Sequence, residues 1–168
     1  MNLETSSEKS AGSAEQVLRR FRVVFNAVRC HFQQLEKQTG LGGAQVWALS
    51  VIRDQPGIGM GGIAKSMDIH QSTASNLIKI LLRKELVRIT KLPEDRRNVQ
   101  LQILPAGLAV LAQVSGPFEG VLPAALAKLS QEKLLRLDQD LGVLIALLKV
   151  DEQAGGIPLG ESSRGGGA

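Results

Sequence analysis

Between Ile69 and Gly107 the chain passes from a helical to a strand periodicity, and this passage limits the fold more than any other feature. The run reads IHQSTASNLIKILLRKELVRITKLPEDRRNVQLQILPAG. Over Gln71–Lys84, residues Ala74, Leu77, Ile78, Leu81 and Leu82 recur at three- and four-residue intervals, which predicts a helix with one apolar stripe. Ser72, Ser75, Asn76, Lys79 and Arg83 take the other side. Farther on, Val99, Leu101 and Ile103 alternate with Gln100 and Gln102, the period of a strand with two unlike faces. Pro93-Glu94-Asp95-Arg96-Arg97-Asn98 makes a tight polar turn between two such strands. A helix of this size fits a DNA major groove, and a basic hairpin tip beside it reaches the neighbouring minor groove. The pattern is that of a winged helix-turn-helix.

The rest of the chain frames this lobe. Residues 1–13 are polar and expected to be disordered. Ala14–Gln38 reads as a long helix, with Val17, Phe21, Val24, Phe25, Val28, Phe32 and Leu35 at helical spacing, broken by Gly40, Gly42 and Gly43. Helices are predicted at Ala44–Arg53 and, weakened by Gly61 and Gly62, at Gly59–Met67. Pro105-Ala106-Gly107 opens a long apolar helix that Gly116-Pro117 and Pro123 must kink or divide. Ser130, with Glu132 in the first turn, caps a last helix running to about Val150. The expected fold is mainly α with a two- or three-stranded β wing. Residues 14–43 and 105–150 are assigned to dimerisation, 44–104 to the winged lobe and 151–168 to a disordered Gly/Ser-rich tail. The first and last helices carry more apolar surface than a small lobe can cover, so a two-fold homodimer is expected, matching an inverted-repeat DNA site.

Charge supports the placement. The net +4 is uneven: residues 65–100 hold eight basic and four acidic groups, whereas 101–168 hold five and seven. The excess therefore coincides with the helix and hairpin, as a phosphate-facing surface requires. The longest unbroken apolar run, Val143–Leu148, is too short to span a bilayer, and the N-terminus has no apolar signal core. A cytoplasmic protein without membrane association is the expectation. One cysteine, Cys30, and two histidines, His31 and His70, give no zinc spacing, no nucleophile–base pair and no cofactor motif. No enzymatic activity, metal or cofactor is expected.

At the start of the recognition helix, Gln71, Ser72, Thr73, Ser75 and Asn76 supply hydroxyl and amide groups suited to base edges. Lys79 and Arg83 lie farther along and suit phosphates. Arg96 and Arg97 suit a narrow minor groove because the guanidinium is planar and weakly hydrated. Asp95 fits as the carboxylate that orients one of them. Taken alone, the helix reads equally as an ordinary amphipathic surface; the wing decides for double-stranded DNA.

On these residues the chain resembles the MarR (multiple-antibiotic-resistance regulator) family over about residues 15–150. P-E-D-R-R-N-V-Q-L-Q-I-L-P-A-G is similar to the family's D-x-R wing, strand and helix start, and Q-S-T-A-S-N-L-I-K-I-L to its recognition helix. The resemblance implies an obligate dimer with intertwined terminal helices, a minor-groove role for Arg97, a structural role for Asp95 and an effector cleft between the dimer helices and the winged lobe. Four positions depart from the family's pattern. His70 replaces a Ser/Thr N-cap, Glu85 a glycine after the recognition helix, Leu104 a Thr/Ser before Pro-Ala-Gly, and Ile89 a basic residue.

Three weaker signals complete the reading. Gly57-Ile58-Gly59-Met60-Gly61-Gly62 fits G-x-G-x-x-G but lacks the preceding strand and the partner acid of a dinucleotide site. Phe25, Arg29, His31, Phe32 and Trp47 offer aromatic walls and cations, which suit an aromatic carboxylate effector. Cys30 admits a thiol-based redox regulator, although a reactive thiolate needs stabilising donors. The function expected is a homodimeric, sequence-specific DNA-binding regulator, a repressor released by a small effector. The alternatives are the redox regulator through Cys30 and a winged-helix protein-interaction module without DNA contact.

Overall fold

In a computed structural model, which describes residues 13–91 and 99–159, Ser13 begins helix α1 (Ala14–Thr39) by accepting from the Gln16 N–H at 3.2 Å. Gly40 ends it in the left-handed conformation (φ 68°), its N–H returning to the Glu36 carbonyl at 2.8 Å. Helix α2 (Gly43–Asp54) follows, with the Gln45 side chain accepting from the Gly42 N–H at 3.3 Å. The short α3 (Met60–Met67) and α4 (Gln71–Arg83) complete the helix-turn-helix. Each of these helices lies within a residue of its predicted bounds.

The core of the lobe is where these elements meet. Leu49 and Ile52 of α2, Ile63 of α3, and Ala74, Leu77, Ile78 and Leu81 of α4 are fully buried, as is Leu101 from the hairpin. The apolar stripe expected on α4 is thus the buried one, with Leu82 half-buried at its edge. Strands β1 (Val87–Lys91) and β2 (Val99–Ile103) pair antiparallel, with Val87 opposite Ile103, Ile89 opposite Leu101 and Lys91 opposite Val99. A third strand does not form among the described residues. Its place is taken by the turn before α3, where the Gly57 N–H donates to Leu101 O (3.0 Å) and the Leu101 N–H to Ile58 O (2.9 Å).

The expected division of the helix after Pro105 is observed: α5 (Pro105–Leu111), a connection, then α6 (Val121–Leu126). Helix α7 (Gln131–Leu148) starts where Ser130 accepts from the Lys133 N–H at 3.4 Å. Only Leu35 is buried on α1, and nothing is buried on α7. Phe25 is 63% exposed, Val143 64% and Leu147 75%.

Residues 151–159, expected as part of a structureless tail, depart from that expectation. Glu152–Gly156 form a 3-10 turn whose start is fixed by Asp151, which accepts from the Gln153 N–H at 2.9 Å. This strap lies against the beginning of α4, tied there by His70. Composition gave no sign of the tie, because the bonding groups are backbone carbonyls.

Candidate nucleic-acid interface and adjoining cavity

With the roll of α4 set by its buried stripe, its other side is presented outward. Gln71, Ser72, Asn76, Lys79 and Arg83 are exposed, and Thr73 and Ser75 are half-buried at the edges. Hydroxyl and amide groups therefore face outward in the first turns, with the two cations farther along the same side. Asp95, Arg96 and Arg97 lie outside the described residues. The ladder that carries them is described up to Lys91 and from Val99.

Sequence reasoning did not single out one basic group on the hairpin stem. Arg88 is exposed on β1, and its Nε and Nη2 both donate to Gln102 Oε1, at 3.0 and 2.8 Å. This cross-strand clasp stiffens the stem of the hairpin on its outer side. Strand alternation alone could have found it, since Arg88 stands opposite Gln102 in the register.

His70 takes the N-cap position of α4, yet its side chain makes no capping bond. Its ring turns away, and Nε2 lies 2.9 Å from the Gln153 carbonyl. A carbonyl oxygen only accepts, so Nε2 carries the proton. The His70 backbone N–H donates to Gly156 O at 3.2 Å. A Cβ on residue 156 would stand 2.7–2.8 Å from His70 ring carbons, so the approach needs glycine there.

Behind this tie is a cavity of about 490 Å³ between α1, α2, the α3–α4 turn, the α5–α6 connection and the strap. Phe32 and Trp47 form aromatic walls, Met67 and Ile69 come from the turn, and Ile157 and Pro158 from the strap. The ring of Phe32 also fixes the junction of α1 with α2. It covers Gly43 so closely that a Cβ there would collide with it, and it lies 3.6 Å from the Cβ position of Gly120.

Of the five residues expected to bind an effector, Phe32 and Trp47 line this cavity. Phe25 and Arg29 instead line a second, more open one of about 340 Å³, which Phe32 shares. Arg29 is exposed and bonds to Asn26 Oδ1 at 3.4 Å. His31 lines neither; its ring lies 5.7 Å from that of Phe32, and its buried Nε2 has no hydrogen bond among the described residues. Cys30 is exposed on α1. The glycine-rich run at 57–62 follows helix α2 rather than a strand, so the context of a dinucleotide site is missing.

One ion pair is found among the described residues. Arg53 Nε donates to Asp54 Oδ1 at 2.7 Å, and the guanidinium carbon sits 5.0 Å from the centre of the Phe118 ring. The hydrogen bond from Arg53 holds the Asp54 carboxyl below its ordinary pKa. This pair anchors the α5–α6 connection, through Phe118, to the end of α2. No helix among the described residues is long and apolar enough to cross a membrane.

Comparison with known proteins agrees with this geometry. Residues 44–99 match the model of the MarR family. A protein of Thauera aromatica, described as a transcriptional regulatory protein for the hcr operon, is 31% identical over 102 residues, which are 60% of this chain and 57% of that protein. The chain thus spans little more than half the length of that relative. Among solved structures, a MepR-like protein complexed with pseudoligands superposes with a TM-score of 0.56 at 20% identity, covering 79% of this chain and 95% of that one. BpsR of Bordetella bronchiseptica, whose DNA binding is regulated by 6-hydroxynicotinic acid, gives 0.52 at 24% identity, over 87% and 100%. MepR of S. aureus in complex with DNA gives 0.52 at 19% identity, over 82% and 97%. At these identities the structures establish a shared fold.

Proposed function

We propose that the protein, whose residues 44–99 match the MarR family model, is a homodimeric transcriptional regulator of that family. In this reading it represses a promoter carrying an inverted-repeat operator. One observation carries the proposal. Helix α4, locked by four fully buried residues, turns Gln71, Ser72 and Asn76 outward beside the β1–β2 ladder, and the sequence that joins the two strands contains Arg96 and Arg97. The first turns of α4 read base edges in the major groove, and Lys79 and Arg83 meet phosphates. The wing arginines enter the flanking minor groove, with Asp95 orienting them.

Dimerisation is supported by the uncovered faces of α1 and α7. Burying an apolar side chain of leucine size contributes about 1.5–3 kcal/mol. Leu135, Val143, Leu147 and Leu148 on α7, with Val17, Leu18, Val24 and Phe25 on α1, are all exposed in the single chain. A second copy that covers them also sets the two recognition helices about 34 Å apart, the spacing of successive half-sites. An effector in the cavity lies against the turn that aims α4. By preferring one helix separation over another it shifts DNA affinity by its differential affinity for the two states.

The test is DNA binding by the full chain to its own upstream intergenic fragment, followed by fluorescence anisotropy across a salt series. Sedimentation should give a dimer at micromolar concentration. Arg97→Ala should weaken binding and make the dependence of log affinity on log salt shallower, by about one in slope for each arginine withdrawn from the DNA. A monomer, or no preference over bulk competitor DNA, overturns the reading; an unchanged slope in the variant overturns the wing assignment.

A further inference from the structure

The charge of the cavity lined by Phe32 and Trp47 runs against the expectation of a carboxylate effector. That expectation rested on Arg29 and His31, and neither lines this cavity. Among the described lining residues none is Lys, Arg or His, and the two that ionise are Asp68 and Glu119, both carboxylates. Each is exposed, so neither charge is buried in the cavity wall. The remaining lining is apolar, apart from backbone, with the Phe32 and Trp47 rings at its sides.

We propose that this cavity binds an organic cation with an aromatic body, a ligand class that rests on the reading of the protein as an effector-controlled regulator. The volume of about 490 Å³ lies within the usual span for small-molecule sites. An anion entering it would shed hydration with no opposite charge to replace it, and would meet two like charges. A cation meets the reverse: the faces of Trp47 and Phe32 attract positive charge, and so do both carboxylates. Pro158 and Ile157 of the strap add apolar lining that suits the body of such a ligand.

Asp68 also connects the site to the DNA-facing surface. It caps α3 in the left-handed conformation (φ 52°), with its N–H bonded to the Ala64 and Lys65 carbonyls. Its backbone is therefore fixed, and Ile69 and His70 are the only residues between it and α4. A ligand held by Asp68 acts on the turn that aims the recognition helix, while contact with the strap acts on the partner of His70.

Trp47 is the only tryptophan in the chain, so quenching of tryptophan emission reports this cavity directly. The full chain is titrated with three biphenyls of matched shape: biphenyl-4-ylmethylammonium, biphenyl-4-ylmethanol and biphenyl-4-carboxylate, with calorimetry alongside. The ammonium should bind about tenfold or more tighter than the carboxylate, with the alcohol between them; tenfold corresponds to about 1.4 kcal/mol. In Asp68→Asn/Glu119→Gln the preference should fall to about twofold or less. Asparagine tolerates the left-handed backbone at 68, so the variant keeps its fold, which circular dichroism checks. Removing residues 160–168, which include Arg164 and lie outside the described residues, should leave the ranking unchanged. A carboxylate that binds as tightly as the ammonium, a preference that survives the double substitution, a ranking that reverses on truncation, or no response of Trp47 overturns the proposal. DNA binding without ligand is measured on the same protein. A carboxylate preference in a chain that binds its operator refutes this inference alone, whereas loss of DNA binding refutes the regulator reading and leaves the ligand ranking standing.

Discussion

Two glycines in helices offer the same substitution with opposite expected signs. Gly107 lies in the first turns of α5, where a Cβ would press against the Leu86 carbonyl oxygen and stand 2.8 Å from Ile103 Cγ1 and 3.2 Å from Leu49 Cδ1. That carbonyl is already in use, accepting the Leu104 N–H at 2.9 Å. Forcing a methyl into a packed junction costs about 1–3 kcal/mol, and weakening the hydrogen bond adds up to about 1. The intrinsic gain of alanine over glycine in a helix returns about 0.5–1 kcal/mol. Gly107→Ala should therefore lose about 1–3 kcal/mol net, or about 3–10 °C in melting temperature for a chain of this size. Gly61 in α3 has nothing within 4 Å of its Cβ position, so Gly61→Ala keeps the gain without the collision and should melt about 1–4 °C higher. Both variants are melted by circular dichroism at one protein concentration, because the stability of the proposed dimer would depend on it. If Gly107→Ala melts at or above the parent, α5 does not approach the start of β1 as described, and the packing argument is wrong.

Other outcomes follow from single contacts. Glu85 is held in the left-handed region (φ 55°), so Glu85→Gly should raise stability by about 1 kcal/mol in chemical denaturation. Gly156→Val should push the strap off His70 and speed amide hydrogen exchange at Gln71–Thr73, with exchange in the buried half of α4 unchanged. The Asp54 carboxyl titrates below its ordinary value when folded, so its pairing with Arg53 adds stability above the unfolded pKa, and this is lost as pH falls through the folded one. Asp54→Asn should accordingly melt lower than the parent at neutral pH, with the gap closing in acid below pH ~4.

How much of this could be read from the chain depended on the range of the interaction. The stripe Ala74, Leu77, Ile78 and Leu81 was legible because one helix face writes its burial into a regular spacing. Ser130 was legible because a cap acts across three residues. Arg29 misled because helical spacing fixes which residues share a face of α1 but not which cavity that face borders. The tie between His70 and Gln153 spans 83 positions and uses a carbonyl that every residue possesses, so no residue type announces it. The cavity was half legible: its aromatic walls stand on two adjacent helices, whereas Asp68, Glu119 and the strap come from distant connections.

The bond that secures the head of α4 has a consequence for the order in which the molecule is made. All of α4 is synthesised by Arg83, yet the groups that hold His70 belong to Gln153 and Gly156. A ribosome releases α4 long before it delivers the clasp. A nascent chain therefore carries the proposed base-reading surface with its leading end untethered, and a turn of polypeptide that emerges much later is the one that finishes it.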